Sequence, residues 1–349
     1  MVRLVRVCLV LASGAGLAGL AAPRAVAQAA RRPARPVHTF SIVAVDSATG
    51  EIGVAVQSHW FSVGSIVSWA EPGVGAVATQ SFVEPAYGPR ALALMRTGVP
   101  APLALRALLA ADPDSAVRQL GMIDARGRPA SFTGGRDIPE AGGHVGRWYA
   151  AQANLMRRNT VWDAMARAFE ASRGGLADRL LAALDAAQRE GGDIRGRQSA
   201  ALIVVSGDRS LPPWARIFDL RVEDSRDPIG ELRRLVRIER AYNLATAGDN
   251  FTAAGKLDSA IAAYGAAEAL LPDSAVNGEL VFWHANTLAD QGRSTEAIPL
   301  YARAFAQDTG WATLLWRLPR VGLLHADSAA IARIVAQACR VAGLRSCAS

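Results

Sequence analysis

The chain has 349 residues, 51% of them apolar, which is enough for two packed cores. A net charge of +7 suggests a nucleic-acid partner, but residues 1–38 hold six arginines (Arg3, Arg6, Arg24, Arg31, Arg32, Arg35) and no acid, so the remainder carries +1. That balance argues against a phosphate-binding surface, and no apolar run of 18 residues follows the leader to span a membrane.

Residues 1–27 read as a secretory signal, with Arg3 and Arg6 before an apolar stretch over 7–22. Gly14, Gly16 and Gly19 break that stretch, which disfavours the alternative of an uncleaved anchor. Ala25-Val26-Ala27 supplies a small-x-small cleavage site and leaves Gln28 as the new terminus. The expected location is therefore secreted or periplasmic. Cys8 leaves with the signal. Cys339 and Cys347 remain, and in an exported chain they either pair or stay as two thiols at a frayed end. Residues 28–38, with Pro33 and Pro36, read as an extended linker or a propeptide.

The folded chain begins at Thr39. Residues 39–46 are apolar and β-branched and predict a buried strand. Ser47-Ala48-Thr49-Gly50 has turn chemistry, and residues 51–58 predict the returning strand. A threonine opening such a hairpin suggests one chemistry: cut before Thr39, its hydroxyl is a nucleophile and its freed α-amine the base. His38 stands where many precursors of that type have glycine, which counts against self-cleavage and leaves trimming by another protease open.

His59-Trp60-Phe61 is a loop suited to line a cleft. Strands are expected at 65–70 and 73–80, helices at 87–97 and 101–111, and a hairpin at 119–124 and 128–133. A strand over 145–153, helices over 160–172 and 175–189, and strands over 199–206 and 214–222 complete the pattern. It predicts an α+β fold for residues 39–222.

Several of these segments together resemble the domain-of-unknown-function-1028 family, which is regarded as having the N-terminal-nucleophile (Ntn) hydrolase fold. They are Thr39-Phe40-Ser41-Ile42-Val43-Ala44, Thr49-Gly50-Glu51, Gly53-Val54-Ala55-Val56, Gly75-Ala76-Val77-Ala78-Thr79-Gln80, Gln152-Ala153-Asn154 and the 191–202 run from Gly191 to Leu202. The resemblance covers roughly residues 38–222 and implies a four-layer αββα arrangement. The family usually shows asparagine a few residues beyond Gln80, where this chain has Glu84.

Thr39 is the expected catalytic residue, and Ser58, Gln80, Asn154, Asp193 and Arg195 are the expected substrate-binding residues. Each has a structural alternative: a strand-end hydroxyl for Ser58, strand-end or turn bonding for Gln80 and Asn154, and a loop salt bridge for Asp193 with Arg195. The five histidines form no metal-ligand spacing, so neither a metal nor a cofactor is expected. Lys256 is the single lysine, so a site in residues 39–222 has no lysine to use.

Residues 223–228 read as a linker, and beyond it the chain is helical. Residues 255–264 match residues 292–301 at an offset of 37, with Ala260 over Ala297, Tyr264 over Tyr301 and Ala267 over Ala304. This looks like tetratricopeptide-type helical hairpins over 223–349, and two repeats are too few to stand alone. The alternative is a non-repeat helical appendage. The expected protein is an exported amide hydrolase acting on a small molecule or peptide, with a protein partner or self-association through the repeats. The rival is a non-catalytic binding or scaffold protein.

Overall fold

The computed structural model describes residues 36–37 and 39–347. The signal reading of 1–27, and residues 28–35 and 38 of the linker, lie outside them. The described residues form an α+β fold with two antiparallel sheets.

Strands β1 (Thr39–Val45) and β2 (Ile52–Ser58) form the opening hairpin. Asp46 closes its turn by accepting the Ala48 N–H at 2.8 Å, and Gly50 takes a φ of +76°, where a side chain would be strained. Then come the short helix α1 (Gly64–Val67), β3 (Ser68–Glu71) and β4 (Gly75–Ser81). The strand expected over 65–70 is thus half helical. Ser68 Oγ donates to the Gly64 carbonyl at 3.0 Å and completes the turn before the chain extends.

Helices α2 (Tyr87–Arg96) and α3 (Ala101–Ala110) precede strands β5 (Arg118–Asp124) and β6 (Pro129–Thr133). Residues 145–153, expected as one strand, instead belong to a hairpin of β7 (Gly142–Gly146) and β8 (Tyr149–Ala153). Its turn runs through Trp148 at φ +72°. No turn-forming residue marks that position. The indole of Trp148 lies against Gly127, where an added Cβ would stand 1.6 Å from a ring carbon, so tertiary packing holds the turn.

Helices α4 (Val161–Ala171) and α5 (Leu176–Arg189) lead to β9 (Ser199–Val205) and β10 (Phe218–Val222). The last strand starts four residues later than the expected 214. Trp214 is instead in an exposed loop, at 79% exposure.

The larger sheet has the order β10-β9-β2-β1-β8-β7 and the smaller β3-β4-β5-β6. Strand alternation divides β1 between two cores. Phe40, Ile42 and Ala44 pack with α4 and α5, while Val43 and Val45 pack with Val54, Val56, Ala76, Ala78 and Ile123 between the sheets. Each such valine contributes roughly 1.5–3 kcal/mol by leaving water. Helices α2 and α3 cover the smaller sheet through Tyr87, Ala91, Leu92 and Leu105. By the same alternation Thr39 and Ser41 lie between the sheets.

Helix α6 (Pro228–Ala253) starts with Pro228 in its first turn and Asp227 accepting from the Gly230 N–H. Its Ile229, Leu232 and Val236 join the core that holds Phe40 and Leu202, so the helix that follows residue 222 begins on the larger sheet. Helices α7 (Leu257–Leu270), α8 (Glu279–Asp290), α9 (Ser294–Gln307), α10 (Gly310–Leu315) and α11 (Ser328–Val341) follow. The equivalent residues Ala260 and Ala297, Tyr264 and Tyr301, and Ala267 and Ala304 are all buried. A disulfide joins Cys339 to Cys347.

Candidate functional site

The polar residues expected to matter gather at one end of β1. Thr39 pairs with Ser58 across the β1–β2 ladder, and Ser58 pairs with Ser199 of β9. Gln80 comes from β4 of the other sheet, and Asn154 follows β8. The Thr39 carbonyl accepts from Gln80 Nε2 at 3.2 Å and from the Asn154 N–H at 3.1 Å. Thr39, Ser58, Gln80 and Asn154 are fully buried. The Thr39 hydroxyl donates to the carbonyl of Val37 at 2.8 Å.

A directional chain of hydrogen bonds runs beneath Thr39. Gln152 Nε2 donates to Ser41 Oγ at 2.5 Å, and Ser41 Oγ donates to Gln80 Oε1 at 2.6 Å. Gln80 Nε2 donates to Gln119 Oε1 at 2.6 Å. Gln119 Nε2 then donates to the Ala153 carbonyl at 2.8 Å and to Thr133 Oγ1 at 2.9 Å. Asn154 Nδ2 also donates to Gln119 Oε1, at 2.8 Å. These amides therefore join the two sheets, and Gln152 Oε1 is the one amide oxygen of this hydrogen-bond chain left buried without a partner among the described residues. Gly121 makes room for the chain: a Cβ there would stand 2.2 Å from Gln152 Oε1.

Asp193 and Arg195 stand at the same end of the larger sheet. The buried Asp193 carboxylate accepts from the His59 N–H at 3.2 Å and pairs with Arg195 at 2.7 Å. Ser199 Oγ accepts from the Val63 N–H at 3.1 Å and donates to the Trp60 carbonyl. These bonds anchor the 59–63 loop. His59, Trp60, Phe61, Arg195 and Gln198 line a cleft of about 570 Å³, with Phe61 63% exposed. Glu84 lies in a different concavity with Tyr87, Arg90 and Asp112, of about 170 Å³.

Three residues were not singled out by the sequence. Gln119 faces Gln80 directly in the β4–β5 register, and two glutamines at paired strand positions were the available signal. Ser81 holds a φ of +69° and donates its hydroxyl to Asp137 Oδ1 at 2.6 Å. Burial pushes the Asp137 carboxyl up to about 6, against its hydrogen bonds from Ser81 and Gly134. Its Oδ2 is buried with no partner among the described residues. Nothing in the sequence around 137 marked this aspartate.

Among the described residues, no group of three or more His, Cys, Asp or Glu side chains is placed to hold a metal ion. No described helix is long and apolar enough to cross a membrane.

No curated protein matches the chain. Among solved structures, it is similar to the crystal structure of protein SPO2555 from Silicibacter pomeroyi, which carries the same family description as the match below. The two share 34% identity with a TM-score of 0.52, over 57% of this chain and 85% of the other. Residues 39–232 match the family of unknown function DUF1028, and that span opens on Thr39 and ends within α6. The chain belongs to the DUF1028 family.

Proposed function

We propose that this protein is an exported Ntn-type hydrolase that cleaves an amide bond with Thr39 as its N-terminal nucleophile. One observation carries the reading: Thr39 opens a central strand at the polar end of the space between the sheets, and its hydroxyl is covered by the segment that maturation would remove. Helices on the outer faces of two apposed sheets suit the αββα fold of such enzymes. Residues 1–27 act as the signal, and a cut before Thr39 frees its α-amine.

In the reaction, Thr39 Oγ1 attacks the substrate carbonyl carbon while its proton passes to the neutral α-amine. The C–N bond then breaks, and the departing nitrogen takes that proton. An ester on Thr39 remains. Water, deprotonated by the same amine, adds to the ester, and the C–O bond breaks to release the acid and restore the hydroxyl. Gln80 and Asn154 hold the Thr39 carbonyl and so fix the strand end. Asp193 and Arg195 shape one wall of the cleft, and the 59–63 loop forms another. The helical segment over 223–349 serves as a tetratricopeptide-like surface for a partner or a second copy.

The burial of the Thr39 hydroxyl favours a second reading, a binding or scaffold protein that keeps the fold without the cut. The mass of the exported protein separates the two. A start at Thr39 supports the hydrolase, and Gln28 as the sole start supports the scaffold.

A further inference from the structure

The segment before Thr39 occupies a built slot. Val37 pairs with Ser81 as an antiparallel bridge, through both backbone bonds: Val37 N–H to the Ser81 carbonyl at 2.7 Å and Ser81 N–H to the Val37 carbonyl at 3.0 Å. Its side chain is fully buried and joins the apolar cluster of Val43, Val54, Val63 and Ile123. Ser81 holds the left-handed conformation that a residue with a side chain adopts under tertiary constraint. Its hydroxyl is fixed by Asp137. The slot thus comprises a backbone donor, a backbone acceptor and a valine-sized apolar hole, two residues upstream of the nucleophile.

A cut before Thr39 that releases Val37 uncovers all three features beside the nucleophile. An amino-acid amide or a simple acyl chain has no second residue before the scissile bond, and so no N–H and C=O at the position of Val37. We infer that the substrate is a peptide, bound extended on the acyl side of its scissile bond. Its residue two positions before the cut pairs with Ser81 through both backbone bonds, and that residue has a small apolar side chain, of valine size, in the vacated hole. The recognition mode is addition of a strand residue to the end of β4. This substrate class rests on the hydrolase reading given above, whereas the slot itself is tested by binding alone.

The test uses the chain made to begin at Thr39, released from a fusion whose protease leaves threonine first, beside the intact chain. The probe is acetyl-Arg-Pro-Val-His-aminomethylcoumarin, which repeats the sequence of residues 35–38. Its partner is the same peptide with N-methylvaline, which cannot donate to the Ser81 carbonyl. The expected result is that the parent peptide binds and is cleaved, that N-methylation lowers kcat/KM at least about tenfold, the scale of one buried acceptor left unpaired, and that the intact chain binds neither peptide. Binding with the same N-methyl sensitivity but without cleavage supports the slot and removes the hydrolase reading. Equal cleavage of both peptides overturns the slot and leaves the hydrolase reading standing. Binding of neither peptide by the folded protein also overturns the slot. If the shortened chain does not fold, the full chain with Val37→Asp, which places a charge in the buried hole, replaces it in the same titration: N-methyl-sensitive binding supports the slot, and no binding overturns it.

Discussion

Thr39 Oγ1 donates to the carbonyl oxygen of Val37 at 2.8 Å, so the residue proposed as nucleophile has its hydroxyl engaged by the backbone two residues upstream. The same Val37 carbonyl also accepts from the Ser81 N–H at 3.0 Å, and the Val37 N–H donates back to the Ser81 carbonyl, which ties Val37 to the smaller sheet while β1 itself belongs to the larger. The Thr39 hydroxyl and both backbone groups of Val37 are therefore hydrogen-bonded in this structure, and in the proposed reaction Thr39 is freed when the upstream segment leaves.

The amide chain beneath Thr39 predicts a stability loss. Ser41→Ala leaves Gln152 Nε2 without its acceptor and Gln80 Oε1 without its donor, both in a buried site. Unsatisfied buried groups cost about 1–3 kcal/mol each. Chemical denaturation of the variant should show a loss of about 2 kcal/mol or more, and an unchanged midpoint would mean that the chain is not formed in solution.

Asp137 predicts a pH dependence. Its carboxyl is pushed up to about 6 in the fold, from a reference of 3.8. A raised acid pKa stabilises the fold below the unfolded value, and that contribution is lost as pH rises through the folded one. Asp137→Asn keeps an acceptor for Ser81 and carries no charge. Its Tm relative to the parent should therefore increase between about pH 4 and pH 7.5. A Tm difference that stays constant across this range would show that the carboxyl does not titrate there.

The hairpin of β1 and β2 was legible in the sequence because short apolar, β-branched runs and the turn chemistry of Ser47-Ala48-Thr49-Gly50 agree there. The expected site residues Thr39, Ser58, Gln80 and Asn154 do converge, since each sits at a strand end that the sheets bring together. Asp193 and Arg195 also form the pair their spacing suggested. The Trp148 turn was hidden because a ring packed on Gly127 holds it, a contact 21 positions away in the chain. Asp137 was hidden for a similar reason: its partner Ser81 is remote in sequence, and its burial comes from the fold. Gln152 was visible as a polar residue after an apolar run, but its place over Gly121 required the two sheets to be stacked.

Ala260 and Ala297 occupy equivalent buried positions on α7 and α9. Replacing either by Arg puts a long charged side chain into a close helix contact, at a cost of a few kcal/mol. Thermal unfolding of each variant should show a lower Tm. Unchanged melting of both would contradict the equivalence of the two helical hairpins.

The proposed chemistry sets its own pH profile. A free α-amine has a reference pKa of roughly 7.7–8.0, and its neutral form is the one that takes the hydroxyl proton. Activity of the chain starting at Thr39 should therefore rise from about pH 6 toward pH 8. Thr39→Ser should retain turnover, while Thr39→Ala should lose on the order of a thousandfold or more. Equal turnover by parent and Thr39→Ala on any amide substrate would remove Thr39 as the nucleophile.

The central claim is that residue 39 becomes a chain terminus. Expressing the full sequence in a bacterium and measuring the intact mass of the exported protein tests it most directly. The expected result is a species that begins at Thr39. A protein whose sole terminus is Gln28, with the bond between residues 38 and 39 intact, would contradict it.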